Sequence, residues 1–320
     1  MHSVRKAIAV VGAAILAMGS AALAEAAYPN HVVRIIVPFS AGSITDGFAR
    51  ILADKLGDMW NQQVIVENRS GIPGTNSVAK AAPDGYTLML TSNGHVVSKI
   101  INKDVPFDPV KDFVGVTKIA SVPQLLVVPP NLPVKTLPDF IALAKATPHK
   151  LNYSSSGIGS NNNLCFVLLM HAANIDVVHV PYKGGPEAFT AVIRNDVQMT
   201  LAPITLVQQL LEEKKVGVIA VNYETRIPQM PNLPTATETL PNYKCDAWFG
   251  LLAPAGTPAP IVNKVNADVT TVLKMPPVAE KLKVYGAVPS PTTPKALDEQ
   301  LKRETDLYGE VLRAAGVAAK

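Results

Sequence analysis

Between Val32 and Met59 the hydrophobic period changes once, and that change constrains the fold more than any other feature. Val32-Val33-Arg34-Ile35-Ile36-Val37 is an apolar, β-branched run suited to a buried strand, and Pro38 ends it. Phe39-Ser40-Ala41-Gly42-Ser43-Ile44-Thr45 is a short loop of small and hydroxyl residues. From Asp46 onward, Phe48, Ile51, Leu52, Leu56 and Met59 recur at helical spacing, which predicts an amphipathic helix. Ser43 or Thr45 suits its N-cap and Asp46 its first turn. Such a unit gathers unpaired N–H groups at the helix start. With Gly42 letting a ligand approach, the loop reads as a carboxylate or phosphate cradle. A plain first βα turn explains the same residues. Asp46 argues against an anion unless its carboxylate points away or caps backbone donors.

The pattern repeats. Gln63–Asn68 and Tyr86–Leu90 read as strands that close on small polar loops, Arg69–Gly74 and Thr91-Ser92-Asn93-Gly94, with a short helix between them around Asn76–Ala82. A second cycle starts with the strand around Leu151–Tyr153, the loop Ser154 to Ser160, and a helix from about Asn161 to Ala173. Further strands are expected at Val177–Tyr182, Val197–Ala202 and Val216–Val221. Helices follow at Glu187–Arg194, Pro260–Lys274, Pro277–Tyr285 and Pro294–Ala315. Strands alternating with helices predict an α/β chain of mainly parallel sheets, with ligands outside the carboxyl ends of the strands. The runs Leu125–Val128 and Ala247–Leu252, each ending in Pro-rich punctuation, read as crossings between two domains.

The N-terminus carries Arg5 and Lys6, an apolar stretch Ala7–Leu16, and the small-x-small sites Ala22-Leu23-Ala24 and Ala24-Glu25-Ala26. That is a cleaved secretory signal, with export to the periplasm expected. The division expected is 1–26 signal peptide, 27–127 domain one, 128–250 domain two, and 251–320 returning to domain one. A formal net charge of +4, with no basic block interleaved with aromatics, argues against nucleic acid. Cys165 and Cys245 have no metal-type spacing, and whether they pair is open from sequence.

The usual catalytic signatures are absent. The chain has no G-x-S-x-G elbow, Walker A loop or H-E-x-x-H helix, and Asn162 stands where a dinucleotide fingerprint around Gly157-Ile158-Gly159 needs its third glycine. His179, inside an apolar strand, reads as a hydrogen-bonded structural residue. No metal, cofactor or enzymatic activity is expected.

Several motifs then occur together and in order: Tyr28-Pro29, Arg34–Phe39, Ala41-Gly42, Thr45-Asp46, Val66–Arg69, Pro83–Leu88, Pro109–Phe113, Lys150–Ser154, His179–Gly184 and Ala253–Pro258. In these the chain resembles the Bug extracytoplasmic solute receptors, the binding components of tripartite tricarboxylate transporters. The resemblance implies a two-domain periplasmic binding protein of Venus-flytrap form that holds a small organic acid between its domains. It implies membrane permease subunits as partners, and a monomer is expected. Carried onto this chain, the ligand-binding positions are Phe39, Ser40, Ala41, Gly42, Ser43, Thr45 and Asp46. Thr91, Ser92 and Asn93 add a wall, and Ser154, Ser156, Gly157, Gly159, Ser160 and Ala202 close from the second domain.

Four positions depart from the family pattern. Ser40-Ala41-Gly42-Ser43 replaces Pro-Ala-Gly-Gly, Asn163 replaces a histidine, and Ala202 replaces an aspartate suited to amino groups. The last points to a plain or aromatic carboxylate. Two other readings are a ligand-sensing partner of a periplasmic signalling protein and a hydrolase using Ser154, Ser156 and His179.

Overall fold

The apolar runs and helical periods resolve into two sheets joined by two crossings. The computed structural model describes residues 28–157, 160–243 and 245–314. The expected signal peptide and Gly159 lie outside them. In chain order, β1 (Val33–Val37), α1 (Ile44–Trp60), β2 (Val64–Asn68), α2 (Ile72–Ala79), β3 (Thr87–Ser92), α3 (Gly94–Ile101) and β4 (Phe113–Ser121) come first. Then follow β5 (Gln124–Val128), α4 (Leu137–Ala146), β6 (Asn152–Ser155), α5 (Asn161–Ala173), β7 (Val178–Pro181) and α6 (Gly185–Ile193). Next are β8 (Thr200–Pro203), α7 (Ile204–Glu212), β9 (Gly217–Asn222) and the single turn α8 (Ala236–Thr239). The chain closes with β10 (Trp248–Pro254), α9 (Ala259–Leu273), α10 (Pro276–Lys283), β11 (Val288–Pro289) and α11 (Pro294–Ala314).

The first sheet has the order β11-β4-β10-β3-β1-β2. The second is built from β8-β5-β9 and the pair β6-β7, linked by a parallel bridge between Tyr153 and Met199. Both sheets are mixed, which corrects the expectation of mainly parallel ones. Pairing is parallel for β1 with β2 and β3, and for β6 with β7; β10 runs antiparallel to β3 and β4, and β5 to β8 and β9. The connectivity explains this. The chain leaves the first sheet at the end of β4 and returns through β10 from that same side, so β10 must run the opposite way.

β5 pairs wholly within the second sheet and β10 wholly within the first. Val122-Pro123 join β4 of the first sheet to β5 of the second, and the chain is back in the first sheet by Trp248.

Alternation along β1 sends Val33, Ile35 and Val37 into a cluster with α1, α9 and α10, and Ile36 into the opposite cluster with Met89, Val96 and Leu301. That second cluster continues without a break into the other sheet, through Leu126, Tyr153 and Leu164. Helix α11 joins the two halves, packing on β4, α3 and α5. The far face of the second sheet has its own cluster, with Leu125 and Val127 against Phe189 and Val207. Cys165 and Cys245 form a disulfide, with Cα atoms 5.4 Å apart, tying α5 to the segment that leads into β10. Among the described residues no helix is long and apolar enough to cross a membrane.

Candidate functional site

Strand register alone locates the site. Ser92 at the end of β3 and Ser121 at the end of β4 pair with Phe249 and Trp248 at the start of β10. Gln124, the first residue of β5, pairs with Pro203 and Asn222 at the ends of β8 and β9. Since β1 runs parallel to β3, and β6 follows β8 through the Tyr153–Met199 bridge, the carboxyl ends of both sheets face the crossing between them. Ligands in α/β sheets bind at these ends.

On the first side, β1 delivers the loop 39–43 into α1. Ser43 is the N-cap, its Oγ accepting from the Asp46 N–H at 3.2 Å. The buried Asp46 carboxylate accepts from the Gly42 N–H at 2.8 Å, Asn68 Nδ2 at 3.0 Å and Arg50 Nε at 3.1 Å. Burial pushes its pKa up, but the hydrogen bonds from Arg50, Gly42 and Asn68, with the Arg50 charge, outweigh it and hold the carboxyl below the usual range. Asp46 therefore fixes the loop from beneath, and the Gly42 N–H is spent on it. Ile44 and Thr45, the first two helical residues, have N–H groups with no acceptor one turn back. They carry the positive end of the helix dipole, one short loop after the carboxyl end of β1. A second support comes from the following loop, where Arg69 N–H donates to Val37 O and Gly71 N–H to Pro38 O.

Thr91, Ser92 and Asn93 stand one strand away, at the end of β3. Asn93 is buried, its N–H donates to Trp248 O, and its side-chain Nδ2 has no partner. A buried amide donor without an acceptor is costly, and a ligand oxygen would satisfy it. Phe39 is half-buried, and Ser40, Ala41 and Gly42 are exposed at the lip.

On the second side the expected residues divide. Ser154 is fully buried, and its Oγ donates to Ala188 O at 2.8 Å, so it stitches β6 to α6. Ala202 packs in the apolar cluster with Leu125. Ser156, Gly157 and Ser160 are half-exposed around the start of α5. Ser160 is the N-cap, its Oγ accepting from Asn163 N–H at 3.3 Å and donating to Gly157 O at 2.7 Å. Gly157 has φ +116°, which explains glycine there.

The Ser–His contact that forms uses Ser155, not Ser154 or Ser156. Ser155 Oγ lies 2.7 Å from His179 Nε2 and accepts from the Gly157 N–H at 3.1 Å. Ser155 is fully buried. The His179 ring stacks on Tyr153, and burial lowers its pKa. Ser155 is inaccessible and His179 half-buried, and both are bound to their own loop, so the pair shapes the second cradle. Among the described residues no three His, Cys, Asp or Glu are placed to hold a metal.

Sequence reasoning missed two contributors. Tyr285, after α10, packs against Phe48 with its hydroxyl over Gly47, where any Cβ would collide. The next residue, Gly286, lies against Ile204 and Thr205 at the start of α7. That short segment touches both halves beside the crossing. Gln124, the first residue of β5, also keeps a buried Oε1 without a partner. Chain distance hid the first, and an ordinary strand setting hid the second.

Comparison with known proteins gives the family. Residues 48–314 match the model of the tripartite tricarboxylate transporter family receptor. Protein BugT of Bordetella pertussis is 30% identical over 320 residues, covering 98% of each chain. A protein of R. palustris solved with adipate superposes at a TM-score of 0.75 with 32% identity, covering 91% of this chain and 99% of that one. MatC from Rhodopseudomonas palustris with bound malate gives 0.71 and 31%, covering 89% and 100%. The chain belongs to the tripartite tricarboxylate transporter receptor family and is a solute-binding receptor, not an enzyme, with the two-domain periplasmic binding protein fold.

Proposed function

We propose that the protein captures a small organic carboxylate between its two sheets in the periplasm and passes it to the membrane subunits of a tripartite transporter. The observation that carries this is the first cradle. Asp46 is paired with Arg50, so the helix start keeps the N–H groups of Ile44 and Thr45 after β1, while the buried Asn93 amide at the end of the neighbouring strand β3 has no acceptor. The relatives solved with adipate and malate support the same ligand class. Phe39, Ser40, Ala41, Gly42, Ser43, Thr91 and Ser92 shape the first wall, and Ser156, Gly157 and Ser160 the second. Ser154 and Ala202 act from behind, through packing.

Residues 28–121 and 248–314 form one moving body and 124–222 the other, and the mature protein, cut near Ala26, works as a monomer. Contacts made only when both cradles touch the ligand favour closure. Test the mature chain, unfolded and refolded to strip bound solute, in a thermal-shift screen of mono-, di- and tricarboxylates, aromatic acids and amino acids. A shift with one acid, lost in Asn93→Leu, is expected. Shifts with amino acids or neutral solutes alone would overturn the carboxylate assignment.

A further inference from the structure

Behind the crossing, on the α11 face, lies a cavity of about 490 Å³ that the cleft does not use. Its walls come from both halves: Lys118 of β4 and Glu304 and Tyr308 of α11 on one side, Asn222 at the end of β9 and Tyr243 on the other, with Asp246 between. The volume suits a small solute.

Its polar groups are incompletely paired. Tyr243 and Asn222 are each 2% exposed, and neither the Tyr243 hydroxyl nor Asn222 Nδ2 has a partner. Asp246 Oδ2 is held by Ser121 Oγ at 2.6 Å and faces Lys118 Nζ at 3.4 Å, while its Oδ1 is buried with no partner. The Glu304 oxygens accept only from neutral donors, Trp248 Nε1 at 2.8 Å and Gln300 Nε2 at 2.7 Å. Asp246 and Glu304 repel each other. Glu224 adds a third carboxylate to the lining, and Arg303 stands exposed on α11. Asn222 Nδ2 is a donor and calls for an acceptor, but Asp246 Oδ1 is an acceptor left bare and the three carboxylates outnumber the cations inside, so the unmet charge demand is for a donor bearing positive charge.

We propose that this cavity is a second ligand site, for a small solute with a primary ammonium head that sits between Asp246 and Glu304, with Tyr243 as a further acceptor. No bond is made or broken. Because both halves wall the cavity, the occupant couples thermodynamically to closure of the cleft.

The test measures binding of butylamine and its uncharged isostere butan-1-ol to the mature protein by calorimetry at constant ionic strength. Wild type should bind butylamine at least tenfold more tightly than butan-1-ol. Asp246→Asn should remove that preference, and the milder Tyr243→Phe should weaken butylamine about threefold or more. Equal binding of the two probes, or no binding of butylamine, overturns the proposal, as does a preference unchanged in Tyr243→Phe. If Asp246→Asn fails to fold, the wild-type ratio and Tyr243→Phe decide alone.

Discussion

Asp46 shows how one side chain can reverse its apparent meaning. In sequence it opposes an anion site; in the fold its carboxylate is consumed by Gly42, Asn68 and Arg50 and stiffens the loop proposed to meet the anion. Its folded pKa is depressed, so its contribution to stability is present above the ordinary carboxylate range and lost as pH falls through the folded value. Asp46→Asn should cost about 1–3 kcal/mol at neutral pH, with the gap to wild type closing below pH ~4, as urea midpoints at both pH values would reveal. Glu304 has the opposite sign. Burial raises it to about 7, against the hydrogen bonds from Trp248 and Gln300. Folding therefore favours its protonated form: the benefit is full below the ordinary carboxylate range and disappears as pH rises to about 7. Glu304→Gln should gain on wild type by up to about 3 kcal/mol between pH 4.5 and 8. Ser43 and Asp46 were legible because caps act locally. Ser154 was not, because which way a strand serine points is decided by its neighbours in space, here Ala188.

Elements set by their own sequence were the readable ones. The helix expected from about Asn161 to Ala173 forms over those residues, and the first cap is one of the two foreseen. Strand β4 went unread because Gly115 and Lys118 interrupt its apolar run. It is held from a distance: Gly115 N–H donates to Asp298 Oδ1 at 2.6 Å, and a Cβ at Gly115 would press on Leu297 and Asp298 at 3.0 Å. Helix α3 was hidden by the polar Thr91–Gly94 sequence, which reads as a loop until Asn93 becomes its cap position. At this scale the sharpest expectation concerns Gly74 in α2. Any Cβ there would collide with the carbonyl of Arg69, so the 69–74 loop must open. Gly74→Ala should loosen the two hydrogen bonds that this loop makes to Val37 and Pro38, lowering stability by roughly 1–3 kcal/mol and weakening carboxylate binding with it. Denaturation and a ligand titration on the same variant check both.

At the scale of the molecule, the apolar cluster that joins the two sheets limits what closure can be. Receptors whose halves meet only across a wet cleft can unfold one half at a time. Here Met89 and Trp248 of the first sheet share a cluster with Leu126 of the second and Leu164 of α5, and α11 packs on both β4 and α5. Closure must therefore pivot about a contact that stays dry, and the halves should unfold together. The disulfide acts in the same direction, closing a loop across a sequence separation of 80 residues at the edge of that cluster. Replacing both cysteines by serine should cost up to about 4.5 kcal/mol if chain entropy dominates, as urea midpoints would reveal. The seam itself is tested by Val311, 3% exposed on α11 and lining a hollow with Leu168 of α5. A charge there finds no solvent on the packed side. In Val311→Asp, calorimetry should resolve the single transition expected of the native chain into two, with the ligand raising the midpoints of both. A native chain that already melts in two steps would mean that the shared cluster does not couple the halves, and that the pivot is looser than its packing implies.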